Sequence, residues 1–470
     1  MAEKTPSRVG RTMGSLVKNG LSAYRTGVKS SIAMARYSTH STQAILDGAI
    51  FPAFDAVLEI QGDVIQAAAD TLSSGDGKGF VETIGQRMTS ATRFQQLVET
   101  LGKDLFGSAS FEGEHEIGRN EIFRLVYIPP KEVAGFRGPA VFHAGGSIPY
   151  GDRIFRLLPE YNFYGRFSER GLPVYAMELI GDRFEHDYSR LTLPILIDSI
   201  RELSSTAFAH NGNRKLVLEG YCGQGTQSLA YVCADPPDAD AKFSVVTTFV
   251  SPIDGSRCTS LAEAIQRAPE PLIEANLALW DRTGGYTDAD QARIGLDVSL
   301  RALFDKTPLG YFHAGWRRKD LAKVTRIEDL DKNQRRDLAG AYWVSPDCAR
   351  RFPVPADISR FTSALFGKGP GPKGEIPCVY RGETLTYSSL ARTRLRFVGI
   401  FGGRDPVVPD VSGHYLFPIL GDRYEHIVHP EAGHISYILS PRMWAADQPK
   451  GFRPNPVDVI VDADRRARES

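Results

Sequence analysis

The chain has 470 residues, with 56 Lys and Arg against 56 Asp and Glu, 42% hydrophobic residues and five cysteines. Zero formal net charge argues against a general nucleic-acid-binding protein, which needs a basic surface, and five cysteines are too few for a disulfide framework. The sequence has no CxxC pair and no apolar run of about 18 residues, so we expect neither a zinc ribbon nor a membrane-spanning helix. It also lacks the pattern of a secretory signal, and we expect a cytoplasmic protein without nucleic-acid partners.

The first forty residues form a basic amphipathic pattern. They hold seven basic side chains and one acidic side chain, a net charge of +6 that leaves −6 for the remainder. Apolar residues from Met13 to Ile32 fall on one face of a helix. Such a helix can dock on its own protein or on a partner subunit, or bind a membrane or polymer surface. Helical spacing continues beyond it, so we predict a helical N-terminal region over residues 1–110 and a homo-oligomer.

From residue 121, short β-branched and aromatic runs alternate with longer helical stretches. Continuously apolar runs are typical of central strands that helices cover on both faces. We therefore predict a doubly wound, mostly parallel α/β sheet, built in two parts from residues 111–255 and 394–470. The predicted strands are 122–128, 139–143, 173–179, 215–221, 243–250, 394–401 and 423–428.

The segment between the two parts of the sheet, residues 256–393, has helical patterns and no convincing strand. It contains Trp280, Trp316 and Trp343, three of the four tryptophans in the chain. We predict that it is an inserted helical cap. Its aromatic side chains either cover an apolar pocket or form the core of the cap itself.

The segment around Cys222 predicts a nucleophile on a sharp turn between a strand and a helix. An apolar strand pattern runs through Gly220-Tyr221-Cys222-Gly223 into a helical pattern. Such a turn lifts the side chain out of the sheet and points the following N–H towards an incoming carbonyl group. The alternative is a small cysteine buried at a tight turn.

A cysteine nucleophile needs a base and an acid, which hydrolase-type sheets deliver from loops after later strands in the order nucleophile, acid, His. Asp405 follows the predicted strand 394–401, and His434 follows the strand 423–428. We predict that His434 takes the proton of Cys222 and that Asp405 orients His434. Asp254, in a turn after the strand 243–250, is an alternative acid.

The oxyanion of the reaction needs two backbone donors. We predict the N–H of Gly223 together with that of Ala144 or Gly145, which lie in a glycine-rich loop after the strand 139–143. This loop could equally be a turn without a ligand role. His426 and His429 would point to opposite faces of a strand, so we expect no metal site.

The chain resembles the polyhydroxyalkanoate synthases, which are cysteine-dependent members of the α/β-hydrolase group. The resemblance covers roughly residues 120–445. In that family two glycines usually stand second and third after the cysteine, whereas this chain has Gln224 and Gly225. The motifs that carry it are Gly220-Tyr-Cys-Gly-Gln-Gly-Thr-Gln-Ser-Leu-Ala230, Ser251-Pro-Ile-Asp254, Tyr380-Arg-Gly-Glu-Thr-Leu, Gly402-Gly-Arg-Asp-Pro-Val-Val-Pro409 and Gly433-His434-Ile435.

The resemblance implies an α/β-hydrolase fold and an acyltransferase that polymerises (R)-3-hydroxyacyl-CoA with release of CoA. Cys222 would carry the acyl chain as a thioester, His434 would be the base, and Asp405 would also activate the substrate hydroxyl. No cofactor beyond the CoA thioester substrate is implied, and residues 1–40 could attach to polymer granules. The alternatives are an ester or thioester hydrolase with the same triad, and a non-catalytic protein that binds a partner or a polymer or lipid surface.

Overall fold

The computed structural model describes residues 43, 45–75, 77–131, 138–146, 149–282, 284–299, 304–445 and 447–469. The basic amphipathic helix predicted within residues 1–40 lies outside the described residues. Among the described helices, none combines the length and the apolarity that crossing a bilayer requires.

An eight-stranded sheet forms the centre of the molecule. Its strand order is β1-β2-β4-β3-β5-β6-β9-β10, in which β1, β2 and β4 pair antiparallel and the other neighbours pair parallel. This is the doubly wound α/β-hydrolase fold expected from the sequence. The strands, including a separate hairpin of β7 and β8, are β1 (His115–Arg119), β2 (Phe123–Ile128), β3 (Val141–His143), β4 (Val174–Leu179), β5 (Leu216–Tyr221), β6 (Phe243–Phe249), β7 (Glu375–Tyr380), β8 (Glu383–Thr386), β9 (Arg396–Gly402) and β10 (Tyr424–His429).

The central strands are continuously apolar because helices cover both faces of the sheet. Every residue of β5 and of β6 is buried. Alternate residues of each strand enter different cores: Val217 packs in the core that also holds Phe94 and Val457, and Leu218 packs in the opposite core. The parallel strands therefore end at one edge, where loops from several of them meet.

Helices make up most of the remaining structure. The N-terminal region has Phe51–Ser74, Gly77–Leu97 and Lys103–Leu105, with π-helical turns Leu46–Ile50 and Val98–Gly102. Helices of the first part of the sheet are Tyr164–Ser168, Leu193–His210, Gly223–Ala234 and Pro236–Lys242. Those between β6 and β7 are Ser260–Arg267, Glu270–Arg282, Ala289–Ser299, Pro308–Trp316, Lys332–Trp343, Pro346–Arg351 and Ala356–Lys368. The last helices are Phe417–Leu420, Ser436–Leu439, Pro441–Trp444 and Pro456–Glu469.

Short 3₁₀ helices connect many of these elements. They span Asp152–Arg156, Gly255–Arg257, Phe304–Lys306, Lys319–Lys323, Ile327–Asp329, Tyr387–Arg392, Asp410–Leu416 and Gly421–Arg423.

The N-terminal helices pack on the helices between β6 and β7. A side chain at Gly315 would meet the carbonyl oxygen of Ser90 at 2.5 Å, so the helices Gly77–Leu97 and Pro308–Trp316 approach closely at this glycine. Arg317 donates to Glu59 at 2.8 Å, and the Trp316 indole donates to Asp63 at 2.9 Å.

Two elements differ from the sequence-based expectation. β1 carries polar and half-exposed residues at the sheet edge, so it has no apolar pattern to reveal it. The hairpin of β7 and β8 lies in the segment 256–393, where we expected no strand. It turns through Arg381 and Gly382, both with positive φ (51° and 85°), and Arg-Gly is not one of the usual hairpin turn pairs.

Candidate active site

Cys222 occupies a sharp turn between β5 and the helix Gly223–Ala234. Its backbone angles are φ 51° and ψ −125°, a conformation that costs a residue with a side chain about 1–3 kcal/mol. The N–H of Cys222 donates to the carbonyl of Phe249 at 2.7 Å, and its own carbonyl accepts from Gly225 at 3.1 Å. These bonds hold the strained turn and leave the thiol partly exposed.

Two glycines allow the turn to pack. A Cβ atom at Gly225 would lie 2.0 Å from Oγ of Ser251, and one at Gly220 would lie 2.7 Å from the carbonyl oxygen of Gln224. A Cβ atom at Gly223 would meet nothing closer than 3.9 Å, at the side chain of Gln227. Gly220 therefore allows the start of the helix to approach β5, and Gly225 allows it to approach the segment that follows β6.

Gln224, which stands where the synthases usually have glycine, points into the protein. Its side chain is completely buried, and its amide donates to Oδ1 of Asp152 at 2.8 Å. The same oxygen accepts from the N–H of Gly146 at 2.9 Å, and Oδ2 accepts from the N–H of Leu179 at 3.1 Å. Through the carboxylate of Asp152, Gln224 thus links the turn at Cys222 to the glycine-rich loop after β3.

Burial raises the pKa of Asp152 to about 6, although the N–H groups of Gly146 and Leu179 act in the opposite direction. Burial disfavours the charged carboxylate, and each donated hydrogen bond recovers part of that cost. The donors around Asp152 therefore offset part of the cost of burying its carboxylate.

His434 and Asp405 meet at the carboxyl ends of β10 and β9. Nδ1 of His434 lies 2.8 Å from Oδ2 of Asp405. The other oxygen of Asp405 accepts from the N–H groups of Val407 and Val408 at 2.7 and 2.9 Å. The carboxylate is therefore fixed by its own loop, and it directs the second nitrogen of the imidazole away from Asp405.

Cys222 also interacts with His434. Burial alone would lower the pKa of His434, but the charges of Asp405 and Cys222 and hydrogen bonds with both residues raise it well above its ordinary value. A raised pKa favours the state in which the imidazole has taken a proton. The imidazole of His434 is therefore placed to accept a proton beside the sulfur of Cys222.

Of the N–H groups predicted to bind the oxyanion, one already donates a hydrogen bond within the described part of the chain and two do not. The N–H of Ala144 donates to the carbonyl of Glu219 at 2.9 Å. The N–H groups of Gly145 and Gly223 donate to no backbone carbonyl among the described residues. Gly145 is required by close packing, because a Cβ atom there would lie 1.8 Å from the carbonyl oxygen of Met177. Ala144 and Gly145 were the two predicted donors of the loop after β3, and only the N–H of Gly145 is available to bind an oxyanion.

The other predicted candidates have local partners. Asp254, the alternative acid, accepts from the Arg257 guanidinium at 3.0 Å and from the Ser256 N–H at 3.2 Å within its own turn. The remaining cysteines are buried, and burial raises the pKa of each of these thiols; they are Cys233, Cys258, Cys348 and Cys378. Cys222 is the one cysteine of the five that is not buried.

A cavity of about 830 Å³ reaches His434 from the side of the helices between β6 and β7. Near the histidine its wall is formed by Pro406, Gly433 and Ile435 of the loops that follow β9 and β10. Apolar side chains and a mixed set of charged residues line the other parts of its wall. The apolar set is Phe94, Tyr311, Ala314, Ala341, Trp343, Val344 and Leu439, and the charged set is Asp297, Asp305, Lys306, Arg317, Arg318, Arg336 and Asp337.

Sequence reasoning missed three polar residues beside the site: Asp152, Glu219 and His143. Glu219 and His143 are both buried and hydrogen-bond to each other between β5 and the end of β3. Asp152 contacts Gln224, 72 positions away. No local motif marks any of them, since each acquires its role from partners on other strands.

No family model matches the chain, and no curated protein matches it. One solved structure with a similar fold is that of a hypothetical protein from Pseudomonas aeruginosa. It shares 13% identity with this chain over 75% of this chain and 92% of its own, with a TM-score of 0.41. A carboxylesterase from Bacillus subtilis shares 12% identity over 75% of this chain and 94% of its own, with a TM-score of 0.39. A thermophilic esterase from Thermogutta terrifontis shares 11% identity over 75% and 98%, with a TM-score of 0.39. Similarity at this level says nothing about the substrate.

Proposed function

We propose that the protein is a cysteine acyltransferase that takes its acyl group from a (R)-3-hydroxyacyl-CoA-type thioester, as the polyhydroxyalkanoate synthases do. The observation that carries the proposal is the contact of His434 with both Asp405, at 2.8 Å, and Cys222 on its strained turn. A positioned nucleophile, base and orienting acid are the requirements of covalent acyl transfer.

In the first half of the reaction, the sulfur of Cys222 attacks the thioester carbonyl while His434 takes the thiol proton. The oxyanion accepts hydrogen bonds from the N–H groups of Gly223 and Gly145. When the intermediate collapses, the bond from carbon to the CoA sulfur breaks. CoA then leaves as a thiol with the proton that His434 returns, and the acyl group stays on Cys222.

In the second half, the hydroxyl group of an acceptor attacks the acyl-enzyme. His434 takes the hydroxyl proton, an ester bond forms, and the proton returns to the sulfur of Cys222 as the carbon–sulfur bond breaks. Asp405 stabilises the imidazolium in both halves, because its carboxylate remains fixed by Val407 and Val408.

The cavity supports an acyl donor with an apolar chain and a charged carrier. Apolar side chains such as Phe94, Trp343 and Leu439 line it, and Lys306 and Arg336 stand among the charged residues of its wall. An acyl chain fits the apolar part, and phosphate groups of a carrier fit the basic side chains. Arg336 also donates to Asp337 at 3.0 Å, so part of its charge is balanced within the protein.

The proposal is tested by incubating the protein with (R)-3-hydroxybutyryl-CoA and measuring CoA release together with product size. Chain growth supports a synthase, whereas stoichiometric free acid identifies a hydrolase that uses the same triad. No release of CoA with this or with longer acyl chains would favour a binding role.

The matched variants are Cys222→Ala and Cys348→Ala, which remove a partly exposed and a buried thiol, respectively. We expect Cys222→Ala to abolish turnover and Cys348→Ala to retain it. In His434→Gln, mass spectrometry should detect little acyl-enzyme on Cys222. Full turnover by Cys222→Ala would refute the mechanism, whatever the acceptor.

A further inference from the structure

Three metal-binding side chains converge outside the catalytic triad. Asp410 and His414 lie four residues apart on the 3₁₀ helix Asp410–Leu416, and His426 lies on β10. Their ligand atoms all lie within 4.8 Å of one another. Oδ2 of Asp410 is 3.7 Å from Nε2 of His414 and 3.7 Å from Nε2 of His426. These separations are too long for direct hydrogen bonds.

His426 brings a buried nitrogen without a partner to this cluster. Its side chain is 9% exposed, and its Nε2 is a buried atom with no hydrogen-bond partner among the described residues. Leaving such a group unpaired costs about 1–3 kcal/mol. The ring is held in place, because it stacks on Phe401 at 4.9 Å between ring centroids and contacts Phe417 at 5.6 Å.

The second nitrogen of His426 has a partner that is compatible with the metal-binding form of the ring. Nδ1 lies 3.3 Å from the hydroxyl of Tyr424. When the Nδ1–H donates to this hydroxyl, the lone pair of Nε2 points to Asp410 and His414. Histidine ligands of metal ions are commonly oriented in this way, by a hydrogen bond at the ring nitrogen that does not bind the metal.

We propose that Asp410, His414 and His426 form a binding site for a divalent transition metal ion, with Zn²⁺ as the best fit. Two imidazoles and one carboxylate are a ligand set that Zn²⁺ accepts, whereas Mg²⁺ and Ca²⁺ prefer oxygen ligands alone. Two ligand atoms on a tetrahedral Zn²⁺ lie about 3.3 Å apart, since each bond is about 2.0 Å. Side-chain rotations, chiefly of the exposed His414, would have to shorten the two 3.7 Å separations from Asp410 and the separation of the two imidazole nitrogens, which is at most 4.8 Å.

The exposure of the site leaves a fourth position for water. The side chains of Asp410 and His414 are 36% and 44% exposed, whereas that of His426 is largely buried. An ion can therefore enter from the solvent and complete its coordination with one water molecule. The ion would replace two long contacts by metal–ligand bonds and give Nε2 of His426 a partner.

The position of the site implies a role in bracing the catalytic loops. Asp410 follows Asp405 by five residues, and His434 follows the end of β10 by five residues. A metal ion bound to Asp410 and His426 would join the loop after β9 to β10. Binding would thus stabilise both segments that carry the acid and the base, and this holds whichever acyl acceptor the protein uses.

The binding experiment uses the untagged full chain, so that no purification tag contributes histidines. A Cys222→Ala background removes the thiol of the triad, which could itself bind zinc. Calorimetric titration should show one Zn²⁺ per chain and no Mg²⁺ binding. His414→Ala and His426→Gln should each weaken zinc binding at least about tenfold. His186→Ala, at a histidine outside the cluster, should leave it unchanged.

Cobalt provides a second measurement that reports the ligands directly. Bound Co²⁺ should give the visible absorption bands of a four- or five-coordinate ion, and these should be lost in His414→Ala. This half-exposed residue can be shortened without opening a cavity in the core. Saturating Zn²⁺ should also raise the unfolding temperature of the parent chain but not of His414→Ala. Zinc binding that is absent, or equally strong in both histidine variants and in His186→Ala, would overturn the proposal.

Discussion

Gln224→Met tests whether the buried amide controls the charge of Asp152. Methionine keeps nearly the volume of glutamine but cannot donate the hydrogen bond, which is 2.8 Å long in the structure. The side chain of Gln224 is completely buried, so water cannot replace the lost donor. The substitution therefore isolates one donor to one buried carboxylate.

The expected magnitude follows from the hydrogen bond. A hydrogen bond to a charged group contributes about 1.5–3 kcal/mol, and one pKa unit corresponds to about 1.36 kcal/mol. Losing the donor removes roughly 1.5–3 kcal/mol of stabilisation from the charged form and should therefore raise the pKa of Asp152 further above about 6. In the variant, a large part of Asp152 would be protonated at pH 7, which weakens its bond from the N–H of Gly146 and loosens the loop that carries Gly145.

Two assays measure the effect. The rate of CoA release should be lower in Gln224→Met than in the parent near pH 7, and the difference should shrink as the pH rises above the new pKa of Asp152. The unfolding free energy should depend on pH in the opposite sense to the rate. A carboxyl whose pKa is raised by folding destabilises the folded state when it ionises, so unfolding free energy falls as pH rises from about 4 to the folded pKa. Urea unfolding should show this decline extending further up in pH for the variant.

The control is Ser228→Ala, which removes a buried hydroxyl that donates to the carbonyl of Gln224 at 2.9 Å. It changes the same helix without removing a donor of Asp152. Its pH dependence should follow that of the parent chain. If Gln224→Met and the parent have superimposable pH profiles for both rate and stability, the link between Gln224, Asp152 and the oxyanion loop is refuted.

Two further substitutions test packing and charge. Gly225→Ala would place a methyl group 2.0 Å from the hydroxyl of Ser251. It should lower the unfolding free energy by about 1–3 kcal/mol and sharply reduce activity. Gly223→Ala has open space around the new methyl group and should keep normal stability in the same urea titration. The Arg317 hydrogen bond lowers the pKa of Glu59 to about 2 from 4.5, so its stabilising effect is present above pH 4.5 and is lost as the pH falls towards 2. Glu59→Gln should lower the unfolding free energy by less than about 1 kcal/mol at pH 7, because the ion pair with Arg317 is partly exposed. The variant should also lack the loss of stability between pH 4.5 and 2. An unchanged acid dependence would contradict the assignment.

Much of the fold could be predicted because it depends on local patterns. Seven of the eight strands of the main sheet were predicted, within a few residues, since buried parallel strands are continuous apolar runs between helical stretches. The positions of Cys222, Asp405 and His434 at strand ends singled them out, and the structure brings them together across more than two hundred residues of sequence. The parallel topology explains this, since it places the carboxyl ends of the strands at one edge.

The remaining features depend on contacts between distant residues. β1 is polar because it pairs at an exposed edge, and the hairpin of β7 and β8 turns through an unusual pair of residues. Gln224 departs from the family pattern in sequence, but only the structure reveals that its side chain reaches Asp152. His426 and His414 come from a strand and from the helix that packs beside it.

The sequence by itself therefore determined most of the order of the elements, the sharp turn at Cys222 and the candidate triad, because these follow from the periodicity and spacing of neighbouring residues. The tertiary structure decided which backbone N–H groups remain available, which donors surround the buried carboxyl of Asp152 and where Asp410 meets two histidines. Burial and hydrogen bonding at each of these places are set by side chains that approach from other strands, and no local pattern records that approach.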